Sequence, residues 1–115
     1  MVEFGKVIDG IVKYIDAELI PKMNDLQQFA VRILSARIIN NTDKLKNTIT
    51  SNGYIRAFGL VDAEGCIDVE GLAEDMKKEI SKKGHIVLDI PLIGKLTFVS
   101  ADVDVLKHMI IGDVN

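Results

Sequence analysis

Apolar and polar residues alternate with a period of two over only a short part of this chain, and that limits how much sheet it can build. Residues 85–90, "HIVLDI", set Ile86, Leu88 and Ile90 on one side against His85, Val87 and Asp89 on the other, the pattern of a strand with one core-facing side. Residues 96–99, "LTFV", alternate again, with Leu96 and Phe98 against Thr97 and Val99. The intervening "PLIGK" suits the bend of an antiparallel hairpin, with Pro91 ending the first strand and Gly94 supplying a positive φ. One more short strand, "CIDV" at residues 66–69, follows the turn "DAEG". Elsewhere the apolar residues recur every three or four positions, so the fold class expected is α+β.

The first helix is expected over residues 3–20, where Phe4, Val7, Ile8, Ile11, Val12, Ile15 and Leu19 form one stripe. Gly5 and Gly10 weaken it, each by up to about 1 kcal/mol relative to Ala, and Pro21 ends or kinks it. A second helix is expected from Lys22 to about Asn40 along Met23, Leu26, Phe29, Ala30, Ile33, Leu34 and Arg37. Val31, Ala36, Ile38 and Ile39 lie off that stripe, so the helix has more than one apolar side to cover. The first helix covers one side, and a second copy of the protein is the expected cover on the other, the alternative being a monomer whose own C-terminal half wraps the helix. The residues expected at that self-contact are Leu26, Phe29, Val31, Ile33, Leu34, Ile38 and Ile39.

"NNTD" at residues 40–43 interrupts the helix, because short polar side chains favour caps over helix interiors. A shorter helix restarts at Asp43 and is expected to end at Gly53 as a left-handed cap. Residues 54–61, "YIRAFGLV", are an apolar connector without an assignment. Asp68 then caps a helix over residues 69–82, with Leu72, Met76 and Ile80 on one face and Gly84 as its end. Ser100 caps the last helix, which carries Val103, Leu106 and Ile110. The organisation expected is a helical hairpin or arm over residues 1–53, then a β-α-β-β-α unit with an antiparallel hairpin over residues 54–115, the two sharing one core as a single domain.

Charge narrows the function classes. The formal net charge is −3, with 7 basic and 6 acidic residues up to Gly53 and 7 basic and 11 acidic after it. Neither half is a polyanion-binding surface. Lys77, Lys78, Lys82 and Lys83 cluster, but Glu74, Asp75 and Glu79 interleave with them at helical spacing, which reads as a solvated, salt-bridged face. With no Trp, four Phe and two Tyr, stacking platforms for bases or sugars are scarce. The single cysteine, Cys66, rules out an internal disulfide and fits a reducing compartment. No secretory signal and no membrane association are expected. The most apolar window, residues 29–39, contains Arg32 and Arg37 and is too short to span a bilayer.

The motifs that could carry chemistry do not complete themselves. "PLIGK" lacks the upstream glycine, the downstream hydroxyl and the following helix of a phosphate-binding loop. "DAEGCIDVEG" at residues 62–71 has the middle of a calcium loop, but Leu60 stands at its first ligand position and Gly71 at its twelfth. His85 and His108 have no partner at metal-ligand spacing. Cys66 and His85 approach only if their strands pair, and no orienting residue accompanies them. The expected state is a buried, apolar Cys66 and a surface His85. Asp102 and Asp104 sit where carboxylates stabilise a helix start. No enzyme activity, cofactor or metal is expected.

The motifs "IDVEGL" at residues 67–72, "DIPLIGKLTF" at residues 89–98 and "DVDVL" at residues 102–106 together resemble small uncharacterised proteins encoded by phages and prophages of Gram-positive bacteria. The resemblance covers about half of the chain, and its motifs are structural. It implies a non-enzymatic structural, assembly or accessory protein, located in the bacterial cytoplasm or the virion. Such a protein acts through self-association and contacts with other phage structural proteins. The alternative is a small DNA-binding regulator of the winged-helix type, since helices followed by a hairpin have that order. Its recognition helix would hold four acids against four lysines, with no Arg or Asn to read bases.

Overall fold

A computed structural model describes residues 1–57, 59–90 and 94–112 of the chain. Along it run α1 (Phe4–Tyr14), a π-helical turn (Ile15–Leu19), a 3-10 turn (Ile20–Lys22), α2 (Asp25–Asn40), α3 (Thr42–Thr50) and α4 (Gly53–Ala57). Then follow α5 (Val69–Lys83), β1 (Ile86–Ile90), β2 (Gly94–Phe98) and α6 (Ser100–Ile111). The fold is mostly helical with a small antiparallel two-stranded sheet, hence α+β. No helix among the described residues is long and apolar enough to cross a membrane.

The α1 stripe does the work its spacing suggests, burying Phe4 and Ile8 against Ile67, Val69 and Ile110. Its partner is α6, and the two helices approach closely at Gly10. A Cβ there would stand 2.5 Å from the Ile110 Cα. The glycine that weakens α1 by propensity is thus the residue that lets α6 close on it.

Past Tyr14 the winding departs from expectation. One helix over residues 3–20 becomes an α-helix, five residues of π-helix, and a 3-10 turn that contains Pro21. Pro21 sits near the start of this last turn, where its missing N–H costs nothing. Asn24 then opens α2, two residues after the expected start, through a reciprocal capping box. Its Oδ1 accepts from the Gln27 N–H at 2.9 Å, and the Gln27 Oε1 accepts from the Asn24 N–H at 3.1 Å.

Around α5 the expectations and the structure agree closely. The Asp68 Oδ1 accepts from the Gly71 N–H at 3.0 Å, and Gly84 ends the helix with φ 83°. Ala73 and Ile80 pack on Val103 of α6, with Met76 and Ile86 alongside. The expected strand at residues 66–69 shrinks to one residue: Ile67 makes isolated antiparallel bridges to Val2 and Val61. The helix cap at Asp68 leaves no room for more.

The hairpin pairs in the register Ile86–Phe98, Leu88–Leu96 and Ile90–Gly94, and Gly94 has φ 101°. The bend itself, residues 91–93, lies outside the described residues. Phe98 is buried and Ile86 packs on the α5–α6 core, but Leu88 is 44% exposed. Leu88, expected to face the core, is therefore not covered by it.

Two caps differ as well. Gly53 starts α4 instead of capping α3, which places a short helix in the unassigned connector. Ser100 is the first residue of α6, and the cap is supplied by Asp102, whose Oδ2 accepts from the Val99 N–H at 2.9 Å.

Candidate functional site

Helix α2 carries the expected self-contact, and the structure sorts its residues onto two sides. Val31 is 2% exposed and packs on Ile15 and Ile20, with Leu34, Ala30, Leu19 and Met23 around it. Ile38 is half-buried against the α1–α6 core. Ser35, one turn from Val31, is buried too. Leu26, Phe29, Ile33 and Ile39 point away, exposed by 75%, 64%, 40% and 52%.

Val31 is therefore a correction. It belongs to the protomer's own core and cannot touch a second copy, and Leu34 and Ile38 sit largely on the same inward side. The physical reason is the size of the side chains. Val31, Ser35 and Ala30 are small enough for α2 to approach the turn at residues 15–22, whereas Leu26 and Phe29 would hold it off. The Gln28 side chain fixes the choice by donating to the Ile20 carbonyl at 3.2 Å and the Met23 carbonyl at 2.9 Å.

The outward row has its own regularity. Leu26, Phe29, Ile33 and Ala36 follow at spacings of three, four and three residues, the seam of a helix that packs on another helix. Arg32 and Arg37 flank it, both exposed. The three large side chains of the row, Leu26, Phe29 and Ile33, are all exposed.

The other candidates of the sequence have structural partners. Lys77 pairs with Asp104 of α6, and Lys82 lies 3.5 Å from Glu79 within α5. Both are exposed pairs of small energetic weight. Asp104 thus faces Lys77, and Asp102 caps α6. His85 and His108 are both exposed.

Asp62, Glu64 and Cys66 bring their donor atoms within 4.8 Å of one another. The Asp62 Oδ1 accepts from the Glu64 and Cys66 N–H groups, each at 2.9 Å, which is the turn expected of "DAEG". The hydrogen bond from the Cys66 N–H is the main cause that holds the Asp62 carboxyl below its ordinary range. Burial pushes the Cys66 thiol up, and the carboxylates of Asp62, Glu64 and Glu3 push it further. It therefore stays a protonated thiol at neutral pH, the reverse of what a nucleophile or ligand needs. Cys66 is half-buried rather than enclosed, and Ile67 beside it pairs with Val2 and Val61, so no strand pairing brings His85 to it.

One residue the sequence reading passed over stands out. Tyr14 falls beside the α1 stripe, is 4% exposed, and stacks on Phe98 with ring centroids 6.1 Å apart. Its position four residues after Gly10 and one before Ile15 is the signal that could have placed it on the buried face. Compared with protein-family models, with curated proteins and with solved structures, the chain matches none.

Proposed function

We propose that this is a non-enzymatic protein that works by self-association and protein–protein contact, and that the outward row of α2 is its self-contact. The observation that carries the reading is that row: Leu26, Phe29 and Ile33 stand exposed on one side of a helix whose other side is already packed. Burying side chains of this kind stabilises by roughly 1.5–3 kcal/mol each when exposure is complete. For residues exposed by 40% to 75% the row is worth about 4 kcal/mol per protomer. Two copies then offset a substantial part of the association cost of about 4–15 kcal/mol.

The motifs at residues 67–72, 89–98 and 102–106 support a structural, assembly or accessory role in a phage or prophage, with other structural proteins as further partners. The finer β-α-β-β-α order belongs to the same reading, with Ile67 standing for its first strand. The winged-helix alternative keeps only the order of helix and hairpin. On its recognition helix, α5, Lys77 and Lys82 are already engaged by Asp104 and Glu79.

Light scattering on the eluting protein tests the self-contact. The wild type should elute as a defined oligomer of a 12.7 kDa chain, and Phe29→Asp with Ile33→Asp should reduce it to a monomer that keeps its helical circular-dichroism spectrum, with a melting temperature that no longer depends on concentration. Val31→Asp should instead unfold the protein. A wild type that is monomeric at high micromolar concentration sinks the reading.

A further inference from the structure

A second surface, independent of the α2 row, lies where the irregular turn after α1 meets β2. It is a cleft of about 310 Å³, at the lower end of the ~300–1,000 Å³ typical of small-molecule sites. Tyr14 and Leu19 line it from one side, Lys95 and Phe98 from the other, and Lys22 and Met23 from the chain between.

Three features set it apart from an ordinary crease. The first is the winding of the chain beside it. A π-turn is rare, and such turns occur frequently at functional sites. Continued as an α-helix, α1 would stack Glu18 above Tyr14, four residues on. The π-turn, with its i to i+5 pairing, brings Leu19 there instead, and Leu19 lines the cleft.

The second feature is Tyr14. A buried tyrosine ordinarily finds a partner for its hydroxyl. Tyr14 lines the cleft with its ring buried, while its hydroxyl makes no hydrogen bond among the described residues and is reached by solvent. Burial, and then the carboxylates of Asp102 and Glu18, push its pKa up to about 12. The hydroxyl is therefore a donor at every physiological pH.

The third is charge. Lys22 and Lys95 both line the cleft, both are exposed, and neither forms an ion pair among the described residues. Asp102 is the carboxylate in the lining, its Oδ2 already accepts from the Val99 N–H, and Glu18 also stands near enough to act on the Tyr14 hydroxyl. The lining thus holds two free cations, an unspent phenol donor and the Thr97 hydroxyl around an apolar floor of Leu19, Met23 and Phe98.

We propose that this cleft binds a small organic anion, a carboxylate or phosphate ester on a compact apolar body. Lys22 and Lys95 meet the charge, the Tyr14 hydroxyl donates to an anion oxygen, and the body rests on Phe98 and Leu19. The free oxygen of Asp102 selects ligands that also carry a hydroxyl or amine.

Titration of the isotope-labelled full chain with benzoate and with phenyl phosphate, followed by amide chemical shifts, tests this. Either anion should give saturable shifts confined to residues 14–23 and 95–98, and the stronger of the two identifies the preferred head group. Benzyl alcohol, which has the body without the charge, should bind at least about tenfold more weakly. Lys22→Glu with Lys95→Glu should abolish the shifts and leave the melting temperature unchanged, since both side chains are exposed. Tyr14→Phe, which keeps the stacking on Phe98, should weaken binding about tenfold. No saturable shift with either anion overturns the proposal. So does benzyl alcohol binding as well as benzoate, or undiminished affinity in the double charge reversal.

Discussion

Replacing Gly10 by alanine should destabilise the protein, although alanine is the better helix former. The Cβ it adds would stand 2.5 Å from both Cα and Cγ1 of Ile110 and 2.9 Å from its backbone nitrogen. Carbon atoms in contact sit at about 3.5–4.0 Å, so α6 must withdraw by roughly 1 Å at the crossing. Two of the three atoms in the way are backbone, and no rotamer change can move them. Overpacking of this kind costs about 1–3 kcal/mol, and the gain in helix propensity returns up to about 1 kcal/mol. The net expectation is a loss of about 1–2 kcal/mol.

Gly5 provides the control within the same helix. A Cβ at Gly5 meets nothing within 4 Å, so Gly5→Ala should stabilise by about 0.5–1 kcal/mol. Urea denaturation read by circular dichroism measures both. The two midpoints should move in opposite directions with the slope unchanged. In thermal melts the variants should differ by about 10 °C, at roughly 4–8 °C for each kcal/mol in a domain of this size. If Gly10→Ala is as stabilising as Gly5→Ala, α1 and α6 do not approach at Gly10, and the reasoning fails.

Other expectations follow from single side chains. The Ser35 hydroxyl is buried without a hydrogen-bond partner among the described residues, so Ser35→Ala should raise stability by about 0.5–1.5 kcal/mol in the same urea assay. Asp68→Ala removes the acceptor for the Gly71 N–H and should cost about 1 kcal/mol. Tyr14 is raised from 10.0 to about 12 because the fold favours its neutral form. Its contribution is therefore complete below pH 10 and is lost as the pH rises through about 12, so the wild type should lose stability over that window more steeply than Tyr14→Phe. Because its thiol is pushed up, Cys66 should react with a disulfide reagent at neutral pH more slowly than a free cysteine, and Asp62→Asn should speed the reaction.

What the sequence disclosed and what it hid divide along a physical line. Local signals held where one residue type has one backbone role: Gly84 as a left-handed helix end, Asp68 as a cap, and Gly94 with positive φ after the bend. The hairpin followed from its period of two. Signals failed where tertiary packing chooses between local options of similar worth. Gly53 was eligible to end α3 and instead begins α4. "CIDV" has the composition of a strand, but only Ile67 finds partners. Gly10 reads as a weakness until α6 lies across it, and the π-turn at Ile15–Leu19 has no compositional mark at all. The capping box of Asn24 and Gln27, by contrast, was present in the sequence as a spacing of three and would have placed the start of α2.

The candidate contact surface shows the same division most sharply. Two apolar rows run along α2, one through Val31 and Leu34 and one through Leu26, Phe29 and Ile33, and periodicity ranks neither above the other. What decides is the break in winding just before the helix. The π and 3-10 turns end α1 beyond Tyr14 and set Ile15 and Ile20 side by side, and they present carbonyls at Ile20 and Met23 that Gln28 can reach. A helix anchored by Gln28 must turn the residues three and seven positions later, Val31 and Ser35, onto that turn. The larger row is then left facing outward for the length of the helix. The same turn sets Leu19 beside Tyr14 and opens the cleft against β2. Restoring regular α-helical winding at residues 15–19 would therefore be expected to disturb both surfaces together, since a single irregularity positions them.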